Sequence, residues 1–178
     1  MAYISSQILV VVSSIIYSFS MLVSSKRHLL FMQIFSSSLF ALHYFLLGAY
    51  IGGIVSCLDA IRIITFYFID KRHNTDFNRK IACVSFIIIG IIGACFTWDS
   101  WYSILPVLSL ILVNLSLSLQ NLNLLKINLN ISILFVILYM IFIKSYFGMA
   151  TQIVVFIVGV IGVYKDILYR NKYRPIIY

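Results

Sequence analysis

Residues 33–65 read QIFSSSLFALHYFLLGAYIGGIVSCLDAIRIIT. Two apolar arms meet at a Gly-Ala-Tyr-Ile-Gly-Gly turn, residues 48–53. Four polar side chains sit deep within the arms: Gln33 and His43 in the first, Asp59 and Arg62 in the second. An Asp or Arg at the centre of a membrane helix costs ~2.5–3.5 kcal/mol even on lenient insertion scales, so such groups face other helices or a wet cavity. The stretch therefore reads as a helical hairpin in a bilayer, with its polar residues marking the face turned away from lipid.

Composition extends this reading to the whole chain. Of 178 residues, 62% are hydrophobic and 10% charged, with a mean hydropathy of +1.06. A soluble domain carries roughly 25% charged residues, so this chain lacks the polar surface to coat a water-soluble particle. All five acidic residues are Asp. The net charge of +8 lies in short basic clusters between apolar runs, the pattern of membrane topology. No soluble basic face remains for nucleic acid. No Lys or Arg precedes the first apolar run, and no small-x-small site follows it, so no cleaved leader is expected. Cys57, Cys83 and Cys95 fall inside apolar runs and read as small buried hydrophobes rather than disulfide partners or metal ligands.

A membrane helix needs about 20 mostly apolar residues. The pattern predicts spans at about 4–23, 29–47, 51–69, 81–96, 103–119, 131–143 and 147–167, with polar separators at 70–80 and 120–130. Helices satisfy their own backbone in hydrocarbon, and the short alternating strands of a barrel are absent from the pattern. The expected fold is an all-α polytopic membrane protein. With seven spans, eleven Lys and Arg fall on one side and only Lys144 on the other, Arg62 lying within a span. That asymmetry places the N-terminus outside and the C-terminus in the cytoplasm of a bacterial inner membrane. Trp98, Trp101 and Tyr102 read as an outer interfacial belt, and Tyr164, Tyr169 and Tyr173 as an inner one.

The two halves repeat. Tyr50-Ile51-Gly52 recurs as Tyr146-Phe147-Gly148, an offset of 96, and the same offset sets Asp70 on Asp166. It lays the first three spans over the last three. One intervening span keeps both triplets in the same orientation, a parallel arrangement known in transporter folds. The expected organisation is a single membrane domain, 1–178, with repeats at about 4–70 and 101–168 joined by a linker helix at 81–96.

Leu29-Leu30-Phe31-Met32-Gln33, the run from Leu39 through His43-Tyr44 to Gly48-Ala49-Tyr50, and Arg62 in the third span carry a family resemblance. In these residues the chain resembles the YgjV family of bacterial inner-membrane proteins. The resemblance implies a location and a fold, not a reaction. The three-one-three plan also resembles the SWEET, SemiSWEET and PnuC-type carriers, although those with hinge prolines differ from a chain whose only span proline is Pro106.

Gln33, Ser36, Phe40 and His43 share one helical face, which points to a partner helix or a solute path. Asp59 and Arg62, at i,i+3, can pair within their helix, and side chains lean towards the helix N-terminus, which brings Arg62 to Asp59. Ser56 and Gln152 are repeat mates, and Asn114 lies at mid-depth opposite Ser18. Ser56, Asp59, Asn114 and Gln152 are expected to ring a cavity between the triplets. The substrate-contacting set of such a site is then Gln33, His43, Ser56, Asp59, Arg62, Asn114 and Gln152. No enzyme constellation, metal-ligand spacing or cofactor motif occurs. Two functions remain: a carrier for a small polar solute, or a non-transporting membrane protein whose polar groups hold helices together or recruit a partner. Gly90, Gly93 and Ala94 offer a small face for helix contact within the chain or with a second copy.

Overall fold

The computed structural model describes residues 2–46, 50–72, 76–96, 98, 100–142, 144 and 146–172. Among these residues the chain forms seven α-helices: α1 (Ala2–Leu22), α2 (Lys26–Leu46), α3 (Tyr50–Lys71), α4 (Asp76–Phe96), α5 (Ile104–Ser118), α6 (Leu122–Phe142) and α7 (Tyr146–Lys172). A 3₁₀ turn, Trp101–Ser103, leads into α5. The fold is all-helical and polytopic. Five segments are long and apolar enough to cross a membrane: α2, α4, Trp101–Ser118, α6 and Met149–Leu168 of α7. The apolar part of α1 found in the same way is Ile8–Leu22, and α3 carries Asp59, Arg62, Asp70 and Lys71 along its length.

Two boundaries correct the sequence reading. The segment 120–130 is not a separator, because α6 begins at Leu122 and takes in Lys126 and Asn130. The polar composition of QNLNLLKINLN hid a helix whose polar side chains are buried: Lys126 is fully buried and Asn130 is 6% exposed. Likewise, Asp70 and Lys71 finish α3, and residues 76–80 start α4. The turn residues 47–49 and the tail residues Tyr173 and Arg174 lie outside the described residues.

Each helix in a triplet packs on the next: α1 on α2, α2 on α3, then α5 on α6, α6 on α7. The triplets meet along two seams, α1 with α7 and α3 with α5. These seams are repeat mates, yet they differ. The α1–α7 seam is tight at the end where Lys26, Arg79 and Lys126 lie, hereafter the basic end. There a Cβ on Gly162 would run into the backbone carbonyl of Met21, so only glycine lets the two backbones approach. The mate of Gly162 is Phe66, fully buried, which packs beside Phe86 of α4 (ring centroids 6.5 Å apart). At the α3–α5 seam a large ring thus keeps the backbones apart. Helix α4 lies across that seam, mostly on α5, with Gly90 seated against Leu110.

The offset of 96 is clearest in buried polar residues. Ser13 matches Ser109, Ser20 matches Ser116, Ser36 matches Ser132 and Asp70 matches Asp166, and all eight are buried. Several bond within their own helix, as Ser20 Oγ does to Tyr17 O and Ser116 Oγ to Leu112 O, both at 2.6 Å. Such bonds satisfy a hydroxyl in hydrocarbon. Ser36 Oγ instead donates to Ser13 O across α1 and α2 (2.9 Å).

The apolar core gathers towards the basic end. Met21, Leu29, Leu30, Phe66, Leu117 and Leu125 are fully buried there. At the opposite end the described aromatic residues are surface groups. Trp101 is 67% exposed and lies edge-on to Phe142 (centroids 4.9 Å apart), and Tyr102 stacks on Phe142.

The packing at the two glycines gives opposite expectations. Gly162→Ala drives a methyl into the Met21 carbonyl and is expected to destabilise by about 1–3 kcal/mol. On Gly93 a Cβ meets nothing within 4 Å, so Gly93→Ala is expected to be neutral or to gain up to about 1 kcal/mol in helix propensity. Thermal unfolding of the two variants in the same detergent measures both.

Candidate functional site

A cavity of about 240 Å³ lies between the triplets. It draws side chains from α1, α2, α3, α5, α6 and α7. Its polar wall includes Tyr17 of α1, Gln33 and Ser37 of α2, Asp59 and Arg62 of α3, and Gln152 of α7. Its apolar wall includes Phe40, Ile63, Val113, Val136 and Val155. Both triplets also contribute a mated serine, Ser36 and Ser132.

Asp59 and Arg62 form an ion pair at 2.9 Å between Oδ1 and Nη2. The pair leaves the two partners in different positions. The Asp59 side chain is 44% accessible and Arg62 10%, so the carboxylate opens on the cavity while the guanidinium is packed behind it. Gln33 is 2% exposed, and its Nε2 has no hydrogen-bond partner among the described residues. The same holds for Nε of Arg62. A buried donor left unpaired costs about 1–3 kcal/mol. The cavity therefore offers one reachable carboxylate, and the residues of its wall hold two unpaired N–H donors that are themselves covered.

Of the residues expected at the site, Gln33, Asp59, Arg62 and Gln152 line this cavity. Three of the expected residues, Asn114 and Ser56 of the ring and His43 of α2, are not on its lining. Asn114 is fully buried, but its Nδ2 donates back to Leu110 O of its own helix (2.9 Å), and it does not line the cavity. Ser56, 9% exposed, is packed outside the lining, while its longer mate Gln152 reaches in. His43 lies one turn beyond Phe40, the last α2 residue on the wall, and packs edge-on to Tyr44 (centroids 5.1 Å apart). No group of three or more His, Cys, Asp or Glu suited to a metal occurs among the described residues.

The basic end of the bundle holds buried and partly buried charges, among them Lys26, Asp70, Arg79 and Lys126, which the sequence pattern places in loops. Lys126 Nζ binds Asp166 Oδ2 at 2.5 Å, with Lys126 fully buried and the Asp166 side chain 6% exposed. Lys26 Nζ binds Asp70 Oδ2 at 2.8 Å, and Arg79 Nη2 binds Asp70 Oδ1 at 2.8 Å. Each triplet thus ties the start of its second helix to the end of its third. Three further bonds cross between triplets. Ser24 Oγ donates to Asp166 Oδ1 (3.0 Å). Lys26 Nζ donates to Leu117 O (3.0 Å) and Leu119 O (2.6 Å), the terminal carbonyls of α5. An ammonium there also meets the negative end of the helix dipole. The repeat of Asp70 in Asp166 was the one sequence signal for this cluster.

An all-helical bundle with a polar cavity at mid-chain depth and basic residues gathered at one end defines an integral membrane protein. A family model described as bacterial inner membrane protein, Imp-YgjV, matches residues 4–170. The chain belongs to the Imp-YgjV family and is a bacterial inner-membrane protein. No curated protein and no solved structure matches it.

Breaking one partner of a buried ion pair strands the other charge, at a cost of about 3–5 kcal/mol. Lys126→Met or Asp166→Leu alone is expected to lower stability by that order. The double variant is expected to recover most of the loss, since an apolar pair of similar volume removes both charges. Denaturant titration of all four proteins closes the double-mutant cycle.

Proposed function

We propose that this protein is a carrier for a small polar solute, which binds in the cavity between the two triplets. The observation that carries the reading is the reachable Asp59 carboxylate, with the unpaired Gln33 on the wall of the same cavity built from six helices. A hydroxyl or amide group on the solute both donates and accepts, so it can bond Asp59, and it pairs with Gln33 on a rotation of that amide into the cavity. The Asp59–Arg62 pair has no net charge, which favours a solute without net charge. The role assigned is transport, not catalysis.

In this reading the chain is a single membrane domain of two parallel repeats, 4–70 and 101–168, with the helix over 81–96 as linker. The excess of Lys and Arg at one end puts that end in the cytoplasm and the N-terminus outside. The buried charges then lie at the cytoplasmic end of the bundle. An impermeant maleimide applied to intact cells is expected to label Lys144→Cys and to leave Lys71→Cys unlabelled, in a background lacking Cys57, Cys83 and Cys95. The reverse result inverts the orientation.

The alternative reading is a non-transporting membrane protein. It is favoured by the completed Asp59–Arg62 pair and by Asn114 bonding its own backbone. Thermal-shift measurement separates the two. Purified protein is titrated with neutral sugars, nucleosides and vitamins. A ligand at about 100 times its Kd stabilises by about 2.7 kcal/mol. A solute that raises the Tm of the native protein, but not of Asp59→Asn or Gln33→Leu, and that enters liposomes bearing the native protein supports the carrier. Leucine suits position 33 because Leu129 is its repeat mate on the same wall. No shift across the panel favours the packing role.

A further inference from the structure

We propose that the groove between α1 and α7 is a binding site for one bilayer phospholipid with an anionic headgroup. The groove is separate from the polar cavity and holds about 300 Å³. It runs along α1 from Val11 to Leu22 and along α7 from Thr151 to Val158. Eleven residues of α1 advance about 16 Å along the helix axis, so the groove lies parallel to the acyl chains of a surrounding bilayer. Its surface is almost wholly carbon. Val11, Phe19 and Val154 on its rim are 48%, 57% and 57% exposed, so it opens to the lipid-facing side of the bundle.

A void in hydrocarbon forfeits dispersion contacts on every wall. The groove is continuous with the surface that meets the bilayer, and the molecule at hand to fill it is a lipid chain. The headgroup follows from the stripe that α7 presents. Thr151, Val154, Val155 and Val158 lie on one face, and the same face continues through Gly162 to Lys165. Gly162 closes the groove there, against Met21. Lys165 is exposed and forms no ion pair among the described residues. Its neighbour Asp166 is already held by Lys126 and Ser24. Lys165 stands about 10 Å beyond Val158 along the helix, where the leaflet at the basic end places its phosphates. A lysine at that level attracts anionic lipid, with its methylenes lying along the apolar surface.

Occupancy bears on the cavity as well. Ser14 and Val155 belong to both walls, so a seated chain backs the partition between the groove and the polar space.

The test compares phosphatidylglycerol with phosphatidylethanolamine added to the delipidated protein in detergent. Phosphatidylglycerol is expected to raise the Tm by several degrees and phosphatidylethanolamine by less. Native mass spectrometry is expected to show one retained phosphatidylglycerol. Lys165→Gln is expected to abolish the preference between the lipids. Val158→Trp, which fills the groove, is expected to abolish retention, while Ile88→Trp on the lipid face of α4 leaves it unchanged. Equal responses to the two lipids overturn the proposal, as does a preference that survives Lys165→Gln. Retention that survives Val158→Trp overturns the placement. Should Val158→Trp fail to fold, Lys165→Gln decides by both readouts.

Discussion

The bundle depends on two buried salt bridges, one in each triplet; without its partner, each charge would be stranded out of water. Lys26 is the first residue of α2, where the positive end of the helix dipole repels a cation, and Lys126 lies one turn inside α6. Asp70 lies in the last turn of α3, where the negative end repels a carboxylate, and Asp166 lies more than a turn inside α7. Joined as Lys26–Asp70 and Lys126–Asp166, each charge is compensated by the other. The geometry that results fixes the antiparallel register of the second and third helices in each triplet. Because Lys26 also holds the end of α5 and Ser24 holds Asp166, the same charges dock one triplet on the other. The dense core around Leu29, Phe66 and Leu117 gathers where that docking occurs.

The two halves then diverge in how they meet. Tight contact at Gly162 and spacing by Phe66 are alternative outcomes at one repeat position. A pair of identical seams would close the centre symmetrically. Unequal seams leave a central space whose polar wall comes mainly from the first triplet, where Gln33, Asp59 and Arg62 lie, and which at the mates of Gln33 and Asp59 is lined by Leu129 and Val155. Asp59 and Arg62 break the pseudo-symmetry because the cavity has a chemical side.

Much of this was legible in the chain. The number and order of helices followed from apolar run lengths, and the Asp59–Arg62 pair from i,i+3 spacing and the lean of helical side chains. What stayed hidden depended on partners far away in sequence. Lys126 sits among asparagines in QNLNLLKINLN and has the look of a solvated turn. Only α7, forty residues on, supplies the carboxylate that lets it be buried. Asn114 had the right depth for the cavity, but an amide can satisfy one donor on its own helix, and depth alone does not give the direction of a side chain. His43 shared a face with Gln33, yet the wall ends at Phe40. The matched buried serines, Ser13 with Ser109 and Ser36 with Ser132, were present in the sequence as identities. Their weight shows only when both members of each pair are seen to be buried.

The glycine contact between Gly162 and Met21 has a mechanical consequence. Two rigid triplets that touch backbone to backbone at one point, and are propped apart by an aromatic ring at the mated point, resemble a clamshell with its hinge pin on one edge. A tilt of one shell against the other proceeds with least disturbance about that pin. The opposite edge is then the one whose spacing would change, and α4 lies over it.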